Sequence, residues 1–132
     1  SIKIGLADPM GYAMFHHVND GELKAEGGSI AEGIGISIVT DNFKQAKIDF
    51  ACQITDENAL PYIFNLIKNE GLCLGGSSAI NIAGAVELAK EMGPGHTIVT
   101  VLCDYGNRYQ SKLFNPAFLK RMNLPIPEWL EV

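Results

Sequence analysis

Gly71-Leu-Cys-Leu-Gly-Gly-Ser-Ser-Ala-Ile-Asn-Ile-Ala-Gly-Ala-Val-Glu-Leu-Ala-Lys90 passes from a short apolar run through two glycines and two serines into an uncharged helical pattern. The helix is expected from about Ser78 to Met92, where Gly93-Pro94-Gly95 stops it. Its first half, Ala79 to Val86, is apolar nearly all round and built of small residues, the composition of a helix packed closely on a sheet. A short apolar strand, a glycine turn and a buried helix make one strand-to-helix unit of an α/β fold.

The flanking sequence repeats the alternation. Ile48 to Ile54 reads as a strand, and Thr55 follows as an N-cap with Asp56 and Glu57 at the positive end of a helix dipole. That helix runs to Asn69 with Leu60, Ile63, Phe64 and Ile67 on one face, and Pro61 falls in its first turns. Thr97 to Cys103 is the most β-rich run of the chain. The N-terminal run Ile2 to Ala7 is strand-like and closed by Asp8-Pro9; a strand opening this abruptly leads us to expect further polypeptide upstream. Residues 10–18 suit a short helix. Asn19 to Ile34 is rich in Gly, Ser and Glu without apolar period, as in a functional or mobile loop. The expectation is one α/β domain over residues 1–132, three-layered, with a mainly parallel sheet flanked by helices and ligands bound beyond the carboxyl ends of the strands. Asp8 to Gly11, Gly75 to Ser78 and Asp104 to Asn107 are the turns at that edge.

Composition narrows the partners. A net charge of -5 with only ten scattered basic residues argues against nucleic acid, which needs clustered Lys and Arg. No apolar run approaches the roughly 18 residues of a membrane span, and no secretory signal pattern is present. Cys52, Cys73 and Cys103 lack CxxC spacing and are expected as buried free thiols of a reducing, cytoplasmic compartment.

Gly75-Gly76-Ser77-Ser78 presents backbone N–H groups and hydroxyls at a helix start, suited to an anion or a polar ring atom, or else to a plain turn with a serine cap. It carries neither the lysine of GxxxxGK[ST] nor the spacing of GxGxxG. Gly33-Ile34-Gly35 offers backbone that a ligand can approach closely, or a bland glycine turn. Asp104 is a carboxylate at the ligand edge or an ordinary loop aspartate. Asn107, Arg108 and Tyr109 read as surface or helix-start residues rather than substrate ligands. The adjacent His16 and His17 point about 100° apart on a helix and cannot share a metal; they read as surface residues, and His96 as a turn residue, so no metal site is expected.

Three motifs in order, the ADP-x-G turn at 7–11, EGIG at 32–35 and EGLCLGGSSAINIAGAVELAKEMGPGHTIVTVLCDYGNRYQSKLFN at 70–115, resemble the C-terminal part of cysteine synthase. That family, also called O-acetylserine sulfhydrylase, stands with cystathionine β-synthase among the fold-type II pyridoxal-phosphate enzymes. The resemblance implies pyridoxal 5'-phosphate as cofactor, with Ser77 bonding its pyridine nitrogen and Gly76 and Asp104 beside it. It also implies that Gly33, Ile34 and Gly35 face cofactor and substrate. A neutral hydroxyl leaves the pyridine nitrogen largely unprotonated, which suits modest electron withdrawal. Asp104 would oppose this if ionised nearby, and we expect it to engage a backbone N–H or Tyr105 instead.

The resemblance implies β-replacement of O-acetylserine by sulfide, giving cysteine and acetate, in a homodimeric full-length protein. The family's Schiff-base lysine, substrate-carboxylate loop and phosphate cradle have no counterpart in these residues, so the chain alone is expected to be inactive without the N-terminal lysine-bearing half. Ala79 also stands where many relatives carry glycine. Two other readings are a non-catalytic partner-binding domain of the same fold and an anion- or nucleotide-binding module.

Overall fold

A computed structural model describes residues 1–131. Two strands, β1 (Gly5–Pro9) and β2 (Phe50–Ile54), pair in parallel with Gly5 opposite Phe50 and Pro9 opposite Ile54. Both start later than their apolar runs suggest. Ile4 takes the backbone N–H of both Asp49 and Phe50 on its carbonyl, so the ladder opens there, and Ile2 is left 93 % exposed.

Between the strands lie α1 (Met14–Asp20) and α2 (Asp41–Gln45). Helix α1 starts late because residues 10–12 form a turn in which Gly11, at φ 89°, donates to the Glu26 carbonyl. The buried Asp8 carboxylate then accepts the Phe15 N–H at 2.9 Å and serves the helix start that Ala13 cannot cap. Helix α2, which the sequence reading did not separate, is capped by Thr40 accepting from Phe43 N at 3.2 Å. His16 and His17 are half-buried on α1, not surface residues: the turn packs one side of α1 inward, and His16 Nε2 and His17 Nδ1 are covered.

Helix α3 (Asp56–Glu70) begins as expected, Thr55 accepting from Asn58 N at 3.3 Å, and ends on Gly71 at φ 71°. Pro61 is exposed within it and removes one main-chain bond. Packing holds the helix regardless, because Leu60, Ile63 and Phe64 are buried against α4 (Gly76–Met92), at about 1.5–3 kcal/mol per side chain. Helix α4 in turn lies on β1 and β2, where a side chain on Gly84 would strike Ala7 Cβ. A 3-10 turn (Gly106–Tyr109), α5 (Pro116–Arg121) capped by Asn115, and a final 3-10 turn (Glu128–Leu130) complete the chain, with Leu113 and Leu119 closing the core.

The chain is α/β, but its sheet is smaller than expected. Thr97 to Cys103 is not a strand among the described residues, nor is Leu72 to Leu74, which contributes one antiparallel bridge from Leu74 to Tyr105. The β-branched run has no strand beside it: Val99 is 89 % and Val101 65 % exposed, and the segment is held to α4 by Asn81 Nδ2 on the Val101 carbonyl at 2.9 Å. Of the free cysteines, Cys52 and Cys73 are partly buried, whereas Cys103 is exposed for the same reason. No described helix is long and apolar enough to cross a membrane.

Candidate functional site

The site is assembled by two chain crossings. Gly75 N donates to the Asp104 carbonyl at 3.0 Å and Gly106 N to the Cys73 carbonyl at 2.9 Å, which fixes residues 104–106 against the start of α4. Glycine is required at 75 because an added side chain would collide with Asp104 Oδ1 and lie 2.8 Å from Tyr109 Cε2. Gly75 is also the N-cap, with extended backbone and no side-chain cap, so the first N–H groups of a 17-residue helix point outward at this spot.

The two serines diverge. Ser78 is fully buried and its Oγ accepts the Cys103 N–H at 3.1 Å, which ties the 97–103 segment to α4. Ser77 is 3 % exposed, lines a cleft of about 390 Å³, and its hydroxyl makes no hydrogen bond among the described residues. Neither serine caps the helix. Glu32, Gly33, Cys103, Asp104, Arg108 and Tyr109 complete the cleft wall.

Asp104 is engaged by Tyr109, not by a backbone N–H or Tyr105 as expected from sequence. The Tyr109 hydroxyl donates to Asp104 Oδ2, while Oδ1 is buried without a partner among the described residues. The hydrogen bond to the carboxylate, with partial burial and the negative charge behind it, raises the Tyr109 pKa above the ordinary phenol value. Tyr109 therefore belongs to the site, although it reads as a surface or helix-start residue in sequence; Arg108 lines the cleft rim and is exposed, as expected. Tyr105 instead turns outward at 72 % exposed.

The loop over the cleft is tethered. Asp56, the first residue of α3, accepts Ser29 Oγ at 2.6 Å and Ile30 N at 2.8 Å, and Ser29 Oγ also takes the Ala31 N–H at 3.0 Å. Ala31 is consequently buried against Gly76, whose missing side chain would lie 3.2 Å from Ala31 Cα. Glu32 pairs with Lys112 at 3.1 Å across the exposed rim. Of the predicted loop residues, Gly33 reaches the cleft, Ile34 packs on the core, and Gly35 lies under the Tyr12 ring, 2.5 Å from where a side chain would begin. Gly76 serves helix–loop packing. No lysine lines the cleft among the described residues, and none of their His, Cys, Asp and Glu side chains cluster to hold a metal.

A neutral hydroxyl, the first N–H groups of α4 and the hydrogen-bonded Asp104–Tyr109 pair come together at one cleft, an arrangement that can bind a polar heteroaromatic edge. It offers no nucleophile or base with an activating partner.

No protein-family model matches the chain. It is 44% identical over 137 residues to cysteine synthase 2 of Schizosaccharomyces pombe, a match covering 94% of this chain and 35% of that protein. It is 39% identical to cysteine synthase of Dictyostelium discoideum, over 97% of this chain and 36% of that one. O-acetylserine dependent cystathionine beta-synthase of Bacillus subtilis is 34% identical over 85% of this chain. Among solved structures, O-acetylserine dependent cystathionine beta-synthase from Helicobacter pylori superposes with a TM-score of 0.71 at 29% identity, over 84% of this chain and 34% of that one. The chain thus spans about a third of the length of the relatives it matches.

Proposed function

We propose, because this chain belongs to the cysteine synthase family and corresponds to its C-terminal portion, that within a full-length polypeptide it forms the pyridine-nitrogen side of a pyridoxal 5'-phosphate site. Residues 1–132 would be one partial α/β domain of that enzyme. The observation that carries the reading is Ser77, 3 % exposed as a residue, at the start of α4 and lining one cleft with Asp104.

The residues present fit one edge of the cofactor. Ser77 would meet the ring nitrogen, Gly76 and the α4 N–H groups would lie beside it, and Gly33 would approach from the loop. Ile34 and Gly35 would support that loop from behind. The cofactor, when bound, supplies electron withdrawal from the α-carbon of an amino-acid substrate. A serine hydroxyl at the nitrogen keeps the ring neutral and that withdrawal modest. Asp104 is compatible with a neutral ring because Tyr109 already donates to it, which draws the carboxylate toward the phenol. The covalent anchor and the phosphate cradle would come from polypeptide outside this chain, so we expect the chain by itself to be inactive.

The reaction we assign to the whole protein is β-replacement, O-acetylserine plus sulfide giving cysteine plus acetate. The names of the relatives support it, two of them specifying O-acetylserine dependence. A cytoplasmic homodimer acting on small molecules, without nucleic acid or membrane, completes the proposal.

The test joins this chain to the complementary two thirds of the fission-yeast enzyme. The joined protein should bind cofactor, seen as visible absorbance, and form cysteine. Ser77→Ala should keep the absorbance and slow cysteine formation about tenfold, the equivalent of one hydrogen bond of ~1.4 kcal/mol. Loss of all cofactor in that variant would show that Ser77 has a different role.

A further inference from the structure

We infer that Tyr109 is a positioning residue of the candidate site: acting through Asp104, it holds a carboxylate over the start of α4, away from the ligand edge that Ser77 meets, and so keeps that edge uncharged. This role rests on the reading of the cleft as the pyridine-nitrogen side of a cofactor site.

The carboxylate is seated, not left loose in a turn. Its main chain is fixed by Gly75 N on the Asp104 carbonyl at 3.0 Å and by the neighbouring Leu74–Tyr105 bridge. The crossing has no slack, because a side chain on the buried Gly106 would lie 2.6 Å from the Leu74 carbonyl oxygen and 2.8 Å from the Phe114 ring. The Asp104 side chain then takes the space that Gly75, the N-cap of α4, leaves empty. A side chain at 75 would run into Asp104 Oδ1 and lie 2.8 Å from Tyr109 Cε2. Carboxylate and phenol thus share one position, over the positive end of a 17-residue helix that has no side-chain cap of its own. Tyr109 is itself anchored. It packs on the core, and its carbonyl accepts Lys112 N at 3.0 Å and Leu113 N at 2.8 Å, with Leu113 buried.

Charge gives this seating its consequence. Glu32, Asp104 and Arg108 are the charged side chains of the cleft wall. Glu32 pairs with Lys112 at an exposed rim and Arg108 is exposed, so water and salt screen both. Asp104 is half-buried beside Ser77, and its charge is the one a bound ring feels most. A carboxylate free to turn a lone pair toward a ring nitrogen would favour the protonated ring. Here one oxygen accepts the Tyr109 proton and the other lies against Gly75, so the charge is met by a phenol and a helix dipole. Ser77 is left to face the ligand as an uncharged donor. Serine alone does not secure a neutral ring, since the same hydroxyl beside an unheld carboxylate would meet a nitrogen drawn toward protonation. A phosphate or carboxylate ligand, in turn, finds the start of α4 already occupied by a negative side chain, which leaves the corner to an uncharged ring edge.

The test is the pH midpoint at which the ring nitrogen protonates, read from the ¹⁵N chemical shift of ring-labelled pyridoxal phosphate in the joined protein. Tyr109→Phe keeps the packed ring and removes only the donor, and it should raise the midpoint by about one to three pH units. Asp104→Asn keeps an acceptor for Tyr109 and removes the charge, so the midpoint should stay at or below the parent value. Tyr109→Phe combined with Asp104→Asn should return it to that level. Ser77→Asp tests the site itself and should raise the midpoint whatever stands at 109. An unmoved midpoint in Tyr109→Phe, where Ser77→Asp does respond, would overturn the role of Tyr109 and leave the site reading standing. A rise that persists in the double variant would also overturn it, since the effect would not pass through Asp104. No response to Ser77→Asp, or no cofactor bound by the joined protein, would contradict the site reading and the role of Tyr109 with it.

Discussion

Tyr109 donates its hydroxyl to the Asp104 carboxylate, five residues earlier, and so places a phenolic proton donor on an acidic side chain in the wall of the cleft that Ser77 lines. The arrangement makes ionisation of Tyr109 harder, since a phenolate beside that carboxylate would lose the bond and gain repulsion. The stabilisation is present while the phenol is protonated, below about pH 10, and is lost as pH rises through the raised folded value. Spectrophotometric titration of the four tyrosines should therefore show a late component that Tyr109→Phe abolishes and Asp104→Asn moves to lower pH. A late component that survives Tyr109→Phe would assign it elsewhere.

Helix α4 approaches β1 closely because residue 84 has no side chain. Gly84→Ala should cost about 1–3 kcal/mol in urea unfolding, since the new methyl meets Ala7 Cβ and Cys52 Sγ at 3.6 Å. Combining it with Ala7→Gly should return most of that loss, the two sites being in contact. Additive destabilisation in the double variant would place the strain at another neighbour.

Asp56 acts through the loop as well as through the dipole of α3. Asp56→Ala removes the acceptor for Ser29 Oγ and Ile30 N and should cost about 1.5–3 kcal/mol, with faster amide exchange at Ile30 and Ala31. Glu57→Ala, in the same first turn, changes the dipole term by only about 0.3–1 kcal/mol and should leave those amides unchanged. Equal effects of the two substitutions would contradict the tether.

Burial pushes the Cys52 thiol up to about 11, with Glu87 adding to the shift. At pH 8 only about one Cys52 in a thousand is thiolate, so iodoacetamide followed by mass spectrometry should label the exposed Cys103 first and Cys52 last. Early labelling of Cys52 would show the β1–β2 edge to be open in solution.

Much of this organisation is legible in the sequence wherever a local signal is also a structural cause. Thr55 caps α3, Gly71 and Gly93 close α3 and α4, and Leu60, Ile63 and Phe64 form the buried face that their spacing indicates. Thr97 to Cys103 shows the limit, because β-branching favours a strand but a strand exists only beside another, and no residue pattern within the run reports the neighbour. Ser77, Gly33 and Asp104, which the sequence singled out from its glycine turns and helix start, all line the candidate cleft. Tyr109 was not singled out, since a 3-10 turn brings it back to Asp104 with no periodic signal. Asp56 carried a visible helix-start signal but gave no hint of its contact with Ser29, 27 residues away.

The central claim is that an uncharged hydroxyl at residue 77 meets the cofactor's ring nitrogen. The most direct measurement is the ¹⁵N chemical shift of ring-labelled pyridoxal phosphate bound to the joined protein, with Ser77 and with Ser77→Asp. The account predicts an unprotonated nitrogen with serine and a move to the protonated shift with aspartate. A nitrogen that is protonated in both, or that does not respond to the substitution, would contradict it.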